Sequence, residues 1–183
     1  RMDTSQVIIN EERPQLTKHL ATRFKEKIGQ NVNLLGEVVL GNEEADHRYH
    51  HYLEALESPD INYISVKISG IYAQTHALNY EESFPELVSR MSALYQKAID
   101  FPYTDEDGIK RSKFINLDME EYKDAHFTLR LFKAVLNLPQ FKNYSAGIVV
   151  QAYLPDAYDF QTELLEFAKA RVDGGGAPIK MRL

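Results

Sequence analysis

The feature that most constrains this chain is a repeated switch of hydrophobic period. Short segments with alternating apolar and polar residues are separated by longer ones whose apolar residues recur every three or four positions. The alternating segments are Asn33 to Leu40, Ile64 to Ser69, Lys113 to Asp118, Gly147 to Ala152 and Ile179 to Leu183. A helical pattern precedes the first of them, from Pro14 to Ile28, with Leu16, Leu20, Phe24 and Ile28 spaced four apart and Gly29 as a stop. Further helical patterns fill the intervals. One runs from Asn42 to Leu56, closed by Ser58-Pro59-Asp60; a second starts at Ser83 as N-cap, with Glu86 completing a capping box. A third, Asp124 to Leu138, is stopped by Pro139, and a fourth follows Pro155-Asp156 and ends at Gly174-Gly175-Gly176. Ile99 to Arg111 reads as a charged loop.

Strands that alternate with helices in this way make a parallel sheet covered by helices. The strand ends lie about thirty residues apart, with one longer interval, which matches the roughly 30 residues per unit of a (β/α)8 barrel. An open doubly wound sheet is the competing layout. Its first strand would lead into a glycine-rich phosphate turn, and Gly36-Glu37-Val38-Val39-Leu40-Gly41 is not one. The expected fold class is therefore α/β: a partial (β/α)8 barrel of about five parallel strands with intervening helices, preceded by an N-terminal helix. The expected division is a helical segment over residues 1–30 and the first half of a barrel over 31–183. The first residue is Arg1 and the last strand pattern is cut at Leu183, so a piece of a longer protein is expected.

The chemistry collects at the strand ends. In Phe114-Ile-Asn-Leu-Asp-Met-Glu-Glu121, Phe114, Asn116 and Asp118 fall on one face of an extended segment and Ile115, Leu117 and Met119 on the other. A carboxylate so placed is costly unless something pairs with it or uses it. Every strand carries a polar side chain at or near its C-terminal end: Glu37, Lys67, Asp118, Gln151 and Arg182. That end is where barrel enzymes hold their active sites. The plainer alternative is a structural ion-pair cluster in the lumen. As a site, the set suits an anionic ligand or a heterocycle. Lys67 would pair with a carboxylate, Arg182 would donate in fork geometry, Gln151 would both donate and accept, and Asp118 would orient Lys67 or Arg182. A Schiff base on Lys67, with Asp118 or Glu37 shuttling protons, is a second reading. A non-enzymatic half-barrel that oligomerises is a third.

Composition narrows the classes. At 183 residues and 44% hydrophobic content the chain can bury a core. A net charge of −6 gives no general basic field, so no nucleic-acid partner is expected. No apolar run approaches the ~20 residues that span a bilayer, and there is no secretory signal pattern, so a cytoplasmic location is expected. With no cysteine, disulfides, thiolate metal sites and cysteine nucleophiles are excluded. His47 and His51 share a helix face, but an outer barrel helix is the wrong place for a catalytic metal, and no metal site is expected.

Five segments taken together resemble the proline dehydrogenase family, in particular the proline dehydrogenase portion of bifunctional proline-utilisation flavoenzymes. They are Asn33-Leu-Leu-Gly-Glu37, Tyr63-Ile-Ser-Val-Lys-Ile-Ser69, the Phe114–Glu121 segment, Gly147-Ile-Val-Val-Gln-Ala-Tyr153 and Ile179-Lys-Met-Arg-Leu183. The resemblance implies a (β/α)8 barrel that binds FAD without a dinucleotide-binding fold. It also implies oxidation of L-proline to Δ1-pyrroline-5-carboxylate, with electrons passed to a quinone. By this resemblance Lys67 binds the substrate carboxylate, and Asp118 and Arg182 are catalytic, the arginine lying near the flavin. Met119, Val149, Gln151 and Arg182 contact the cofactor, and Glu37 gates the site. A fused or associated pyrroline-5-carboxylate (glutamate semialdehyde) dehydrogenase is implied, as is peripheral attachment of the full-length protein at the inner membrane. The family continues beyond Leu183 with three more strands and most of its FAD contacts. The chain alone is therefore expected to be inactive, to bind FAD weakly or not at all, and to self-associate through an open sheet edge.

Overall fold

The structure, a computed structural model, describes residues 13–33, 41–73 and 80–183. Five strands form one parallel sheet: β1 (Val32–Asn33), β2 (Tyr63–Lys67), β5 (Phe114–Asp118), β6 (Gly147–Val149) and β7 (Lys180–Arg182). Their spatial order is β1-β2-β5-β6-β7, so each lies beside the sheet strand before it in the sequence. Helices α1 (Arg13–Lys25), α2 (Asn42–Glu57), α3 (Tyr80–Asp100), α4 (Ala125–Leu136) and α5 (Ala157–Asp173) fill the intervals. This is the predicted α/β architecture.

One face of the sheet is the core. Ile64, Val66, Ile115, Leu117 and Ile148 are each fully buried there, as strand alternation requires. Leu87, Met91, Leu94, Tyr95 and Ala98 recur at helical spacing along α3, and none of them is exposed. The other face carries Tyr63, Ser65, Lys67, Phe114, Asn116, Asp118, Gly147, Val149, Lys180 and Arg182. It is the polar face of the sheet, the side that lines the lumen in a barrel.

Several boundaries differ from the sequence expectation, each for a local reason. Helix α1 ends at Lys25, before Gly29, because Lys27 adopts φ 60 and closes a Schellman turn, with Ile28 N–H on the Arg23 carbonyl and Lys27 N–H on that of Phe24. Ser83 is not an N-cap: α3 already runs through Tyr80, and Ser83 is buried within it. Strand β2 stops at Lys67, and Ile68–Gly70 form a 3-10 turn that places Ser69 toward Glu120. The charged loop contains a hairpin, β3 (Tyr103–Thr104) against β4 (Lys110–Arg111). The Asp105 carboxylate builds its turn by accepting the Asp107 and Ile109 N–H groups, and Gly108 supplies φ 77. Most of the first predicted strand, with Gly36 and Glu37, lies outside the described residues.

Lys113, just ahead of β5, is only 2% exposed, and its amine donates to the Ser58 carbonyl at the end of α2. Burial lowers its pKa to about 8, against the opposing charge of Asp60. In an unfolded chain a lysine titrates near 10.4. Between about pH 8 and 10.4 the unfolded chain therefore binds more protons than the native one, and stability rises with pH across that window. Below it the full cost of the buried charge is present. Lys113→Met is expected to stabilise the protein by about 1–3 kcal/mol at pH 7 and to lose most of that gain near pH 10. Urea unfolding of both proteins at the two pH values measures this; a gain that does not change with pH would contradict it.

Candidate functional site

At the C-terminal ends of the strands, register sets the geometry. Lys67 on β2 lies level with Asp118 on β5, and Val149 on β6 level with Arg182 on β7. Asp118 is the hub. Its Oδ1 accepts from Arg182 Nη2 at 3.0 Å, from Asn116 Nδ2 at 2.7 Å and from Ser65 Oγ at 3.2 Å. Ser65 in turn accepts from Asn31 Nδ2 at 2.8 Å. Three donors on one oxygen hold the carboxylate in one orientation, and Oδ2 takes no bond among the described residues. Asp118 is 12% exposed and Arg182 46%, so the carboxylate is fixed while the guanidinium still reaches open space.

The structure chooses between the pairings that the sequence left open. Asp118 pairs with Arg182, whereas Lys67 faces Glu120, its Nζ 3.8 Å from Oε1. Glu120 is held by Ser69, whose N–H donates at 3.2 Å and whose hydroxyl donates at 2.9 Å. At that length the Lys67–Glu120 pair leaves the amine room to turn to an incoming anion. Gln151 follows β6 and donates to the Met119 and Glu120 carbonyls at 3.3 and 2.9 Å, tying the ends of β5 and β6 together. Its side-chain carbonyl takes no bond among the described residues. Val149 lies on the lumen face beside Arg182. The Met119 side chain points the other way and is 6% exposed in the core. Behind the site, burial pushes the Tyr52 phenol up to about 12, so it stays protonated at neutral pH. Glu37 lies outside the described residues.

Sequence reasoning missed Ser65, Asn31 and Glu120 as members of this cluster and did not assign Asn116 a role in it. Asn116 and Glu120 stand two residues either side of Asp118, so strand alternation is the signal that points to them. Ser65 has the same relation to Lys67, but its partner is set by the β2–β5 register.

A cavity of about 500 Å³ opens at the opposite, N-terminal end of the sheet, between Leu20 and Phe24 of α1, Tyr63, Phe114, Tyr103 and Lys180. It opens on the same sheet face as the cluster, at the other end of the strands. The cluster is the better candidate because it brings two cations and an oriented carboxylate to the catalytic end of a parallel α/β sheet.

A family model described as proline dehydrogenase matches residues 16–183. Among solved structures, proline utilization A (PutA) from Corynebacterium freiburgense is 40% identical, with a TM-score of 0.88 over 98% of this chain and 18% of that one. Proline utilization A from Bdellovibrio bacteriovorus, inactivated by N-propargylglycine, is 28% identical, with a TM-score of 0.73 over 91% of this chain and 19% of that one. A Bradyrhizobium japonicum proline utilization A variant at 23% identity and a TM-score of 0.66, covering 82% of this chain and 15% of its own, shares the fold. The chain spans less than a fifth of the length of each of these. No curated protein matches it.

Proposed function

This chain belongs to the proline dehydrogenase family, and from that premise we propose that it forms one side of the active site of an FAD-dependent enzyme that oxidises L-proline to Δ1-pyrroline-5-carboxylate and passes the electrons to a quinone. The observation that carries the reading is the convergence of Lys67, Asp118 and Arg182 at one end of the polar sheet face, with Asp118 clamped against Arg182.

In this reading Lys67 binds the proline carboxylate. Its loose pair with Glu120 is exchanged for one with the substrate, which orients the ring. Asp118 holds Arg182 in place, and the half-exposed guanidinium keeps donors that take no bond among the described residues. FAD, when bound, supplies the two-electron acceptor. The side chains suit it: Arg182 offers donors to an electron-rich ring edge, Gln151 an acceptor, and Val149 an apolar contact beside them. Met119 would contribute through its place in the backbone between Asp118 and Glu120, since its side chain is in the core. Glu37 is proposed as a gating acid.

The same reading assigns residues 1–30 to an N-terminal helical segment and 31–183 to the first half of a barrel. Further sequence would supply the remaining strands, as the limited share of the relatives' length suggests. We also propose a cytoplasmic enzyme, peripheral at the inner membrane in its full-length form and joined to a pyrroline-5-carboxylate dehydrogenase. The 183 residues alone would be inactive and would self-associate through the outer edge of β7, which has no strand beside it among the described residues.

The test is a flavin spectrum of the full-length protein that bleaches on addition of L-proline; a colourless, folded full-length protein would overturn the proposal. Lys67→Ala is expected to raise the KM for proline about 10–100-fold, the worth of one charge-assisted contact, with flavin content unchanged. Equal losses in flavin content and proline affinity would remove Lys67 from carboxylate binding.

A further inference from the structure

Asn116 sits one alternation step below Asp118 and is completely buried. Its amide has one possible orientation, because a carboxylate only accepts hydrogen bonds: Nδ2 must face Asp118, and it does so at 2.7 Å. The consequence falls on the other end of the amide. Asn116 Oδ1 is buried and has no hydrogen-bond partner among the described residues. It cannot reach a ligand either, since the chain closes over it. Gly147, its register partner on β6, lies against it, and a Cβ there would come 2.6 Å from Oδ1 and 2.9 Å from the Phe114 ring. An apolar side chain of the same size would satisfy this environment better. A buried acceptor without a donor is a cost that most proteins avoid.

The one thing Asn116 does that a leucine would not do is donate to Asp118. We propose that Asn116, with Ser65 beside it, is a positioning residue that sets the orientation of the Asp118 carboxylate, and that the fold carries an unsatisfied buried oxygen for that purpose. With Asn116 and Ser65 both on Oδ1, rotation of the carboxylate is blocked from below, Arg182 meets it in one geometry, and Oδ2 is left without a bond among the described residues. The role in turnover rests on the proline dehydrogenase reading; the role in orienting Asp118 does not.

Asn116→Leu separates this role from a merely structural one, because the two predict opposite signs for stability. In the full-length, flavin-loaded enzyme the variant is expected to unfold at the same or a higher denaturant concentration than wild type. Its kcat for proline should fall about 10–100-fold, as for a misplaced catalytic group, with KM changed by no more than about threefold. Ser65→Ala, which removes the second donor without a change of packing, should lower kcat in the same direction by a smaller factor. A crystal structure of Asn116→Leu should show the Asp118 carboxylate rotated and its contact with Arg182 broken. An unmoved carboxylate, a kcat within about twofold of wild type, or a loss of kcat matched by loss of stability would each overturn the proposal. If the wild-type enzyme does not oxidise proline, the functional reading falls, and the crystallographic comparison still decides the orienting role.

Discussion

Asp118→Ala in the full-length, flavin-loaded enzyme is expected to lower kcat/KM for proline about 10²–10³-fold, the cost of losing a preorganised charge at a reacting centre. The structural reason is the convergence of three donors on one carboxylate oxygen. Without it Arg182 loses the contact that fixes it, and the Asn116 and Ser65 donors are left without an acceptor. Stability should fall chiefly through these two donors. The Arg182 side chain is nearly half exposed, so its ion pair is screened, and only the two donors beneath are buried. Asp118→Asn should recover part of the fold stability but not the rate, because the amide keeps the shape and loses the charge. Steady-state kinetics together with the flavin spectrum measure both effects. A kcat/KM within about threefold of wild type would remove Asp118 from the site.

The largest effect on stability is expected elsewhere, at Arg171 near the end of α5. Its guanidinium donates only to backbone carbonyls. Nε bonds Ala177 at 2.8 Å, Nη1 bonds Leu136, and Nη2 is shared among Phe141, Lys142 at 2.9 Å and Tyr144 at 3.0 Å. These carbonyls belong to the end of α4, the turn that leads into β6 and the loop that leads into β7. No carboxylate pairs with it among the described residues, and burial holds its pKa below the ordinary arginine value. Arg171→Ala removes a donor from five carbonyls; those of Phe141 and Lys142 keep the Tyr144 and Ala177 N–H groups, which leaves those of Leu136, Tyr144 and Ala177 to bear the loss. At about 1–3 kcal/mol for a fully buried unsatisfied group, discounted because the site is partly wet, the expected loss is about 3–5 kcal/mol, a large share of a typical 5–15 kcal/mol. Lysine should not rescue it, because an ammonium cannot span the fork. Chemical denaturation of the variants checks this; a loss below about 1 kcal/mol would mean that water replaces the guanidinium.

Much of the architecture could be read from the sequence because strand alternation and helix period are local signals. The Lys67, Asp118 and Arg182 set was legible for the same reason: each sits at the end of its own alternating run. The partners were harder. That Asp118 takes Arg182, and Lys67 takes Glu120, depends on the register between segments dozens of residues apart. Ser83 shows how a local rule can be overruled. The sequence Ser-Phe-Pro-Glu has capping-box form, yet the helix begins earlier and buries the serine. The end of α1 reverses the usual rule, with Lys27 instead of the nearby Gly29 in the left-handed position. The hairpin at Tyr103 to Arg111 was hidden because its strands are two residues each and its turn is built by a single aspartate.

The strand order β1-β2-β5-β6-β7 has a consequence for how the site comes into being. Each new strand of the sheet docks on the one made before it, so no early segment has to wait for a distant partner. On a ribosome, where the N-terminal part emerges first, the sheet can grow by addition at one edge. Lys67, Ser65, Asn116 and Asp118 are in place once the third strand of the sheet has docked, more than sixty residues before Arg182 is synthesised. The carboxylate is thus oriented from below by neutral donors before its cation exists. Arg182 then arrives at a preformed acceptor, and its capture marks the docking of the fifth strand.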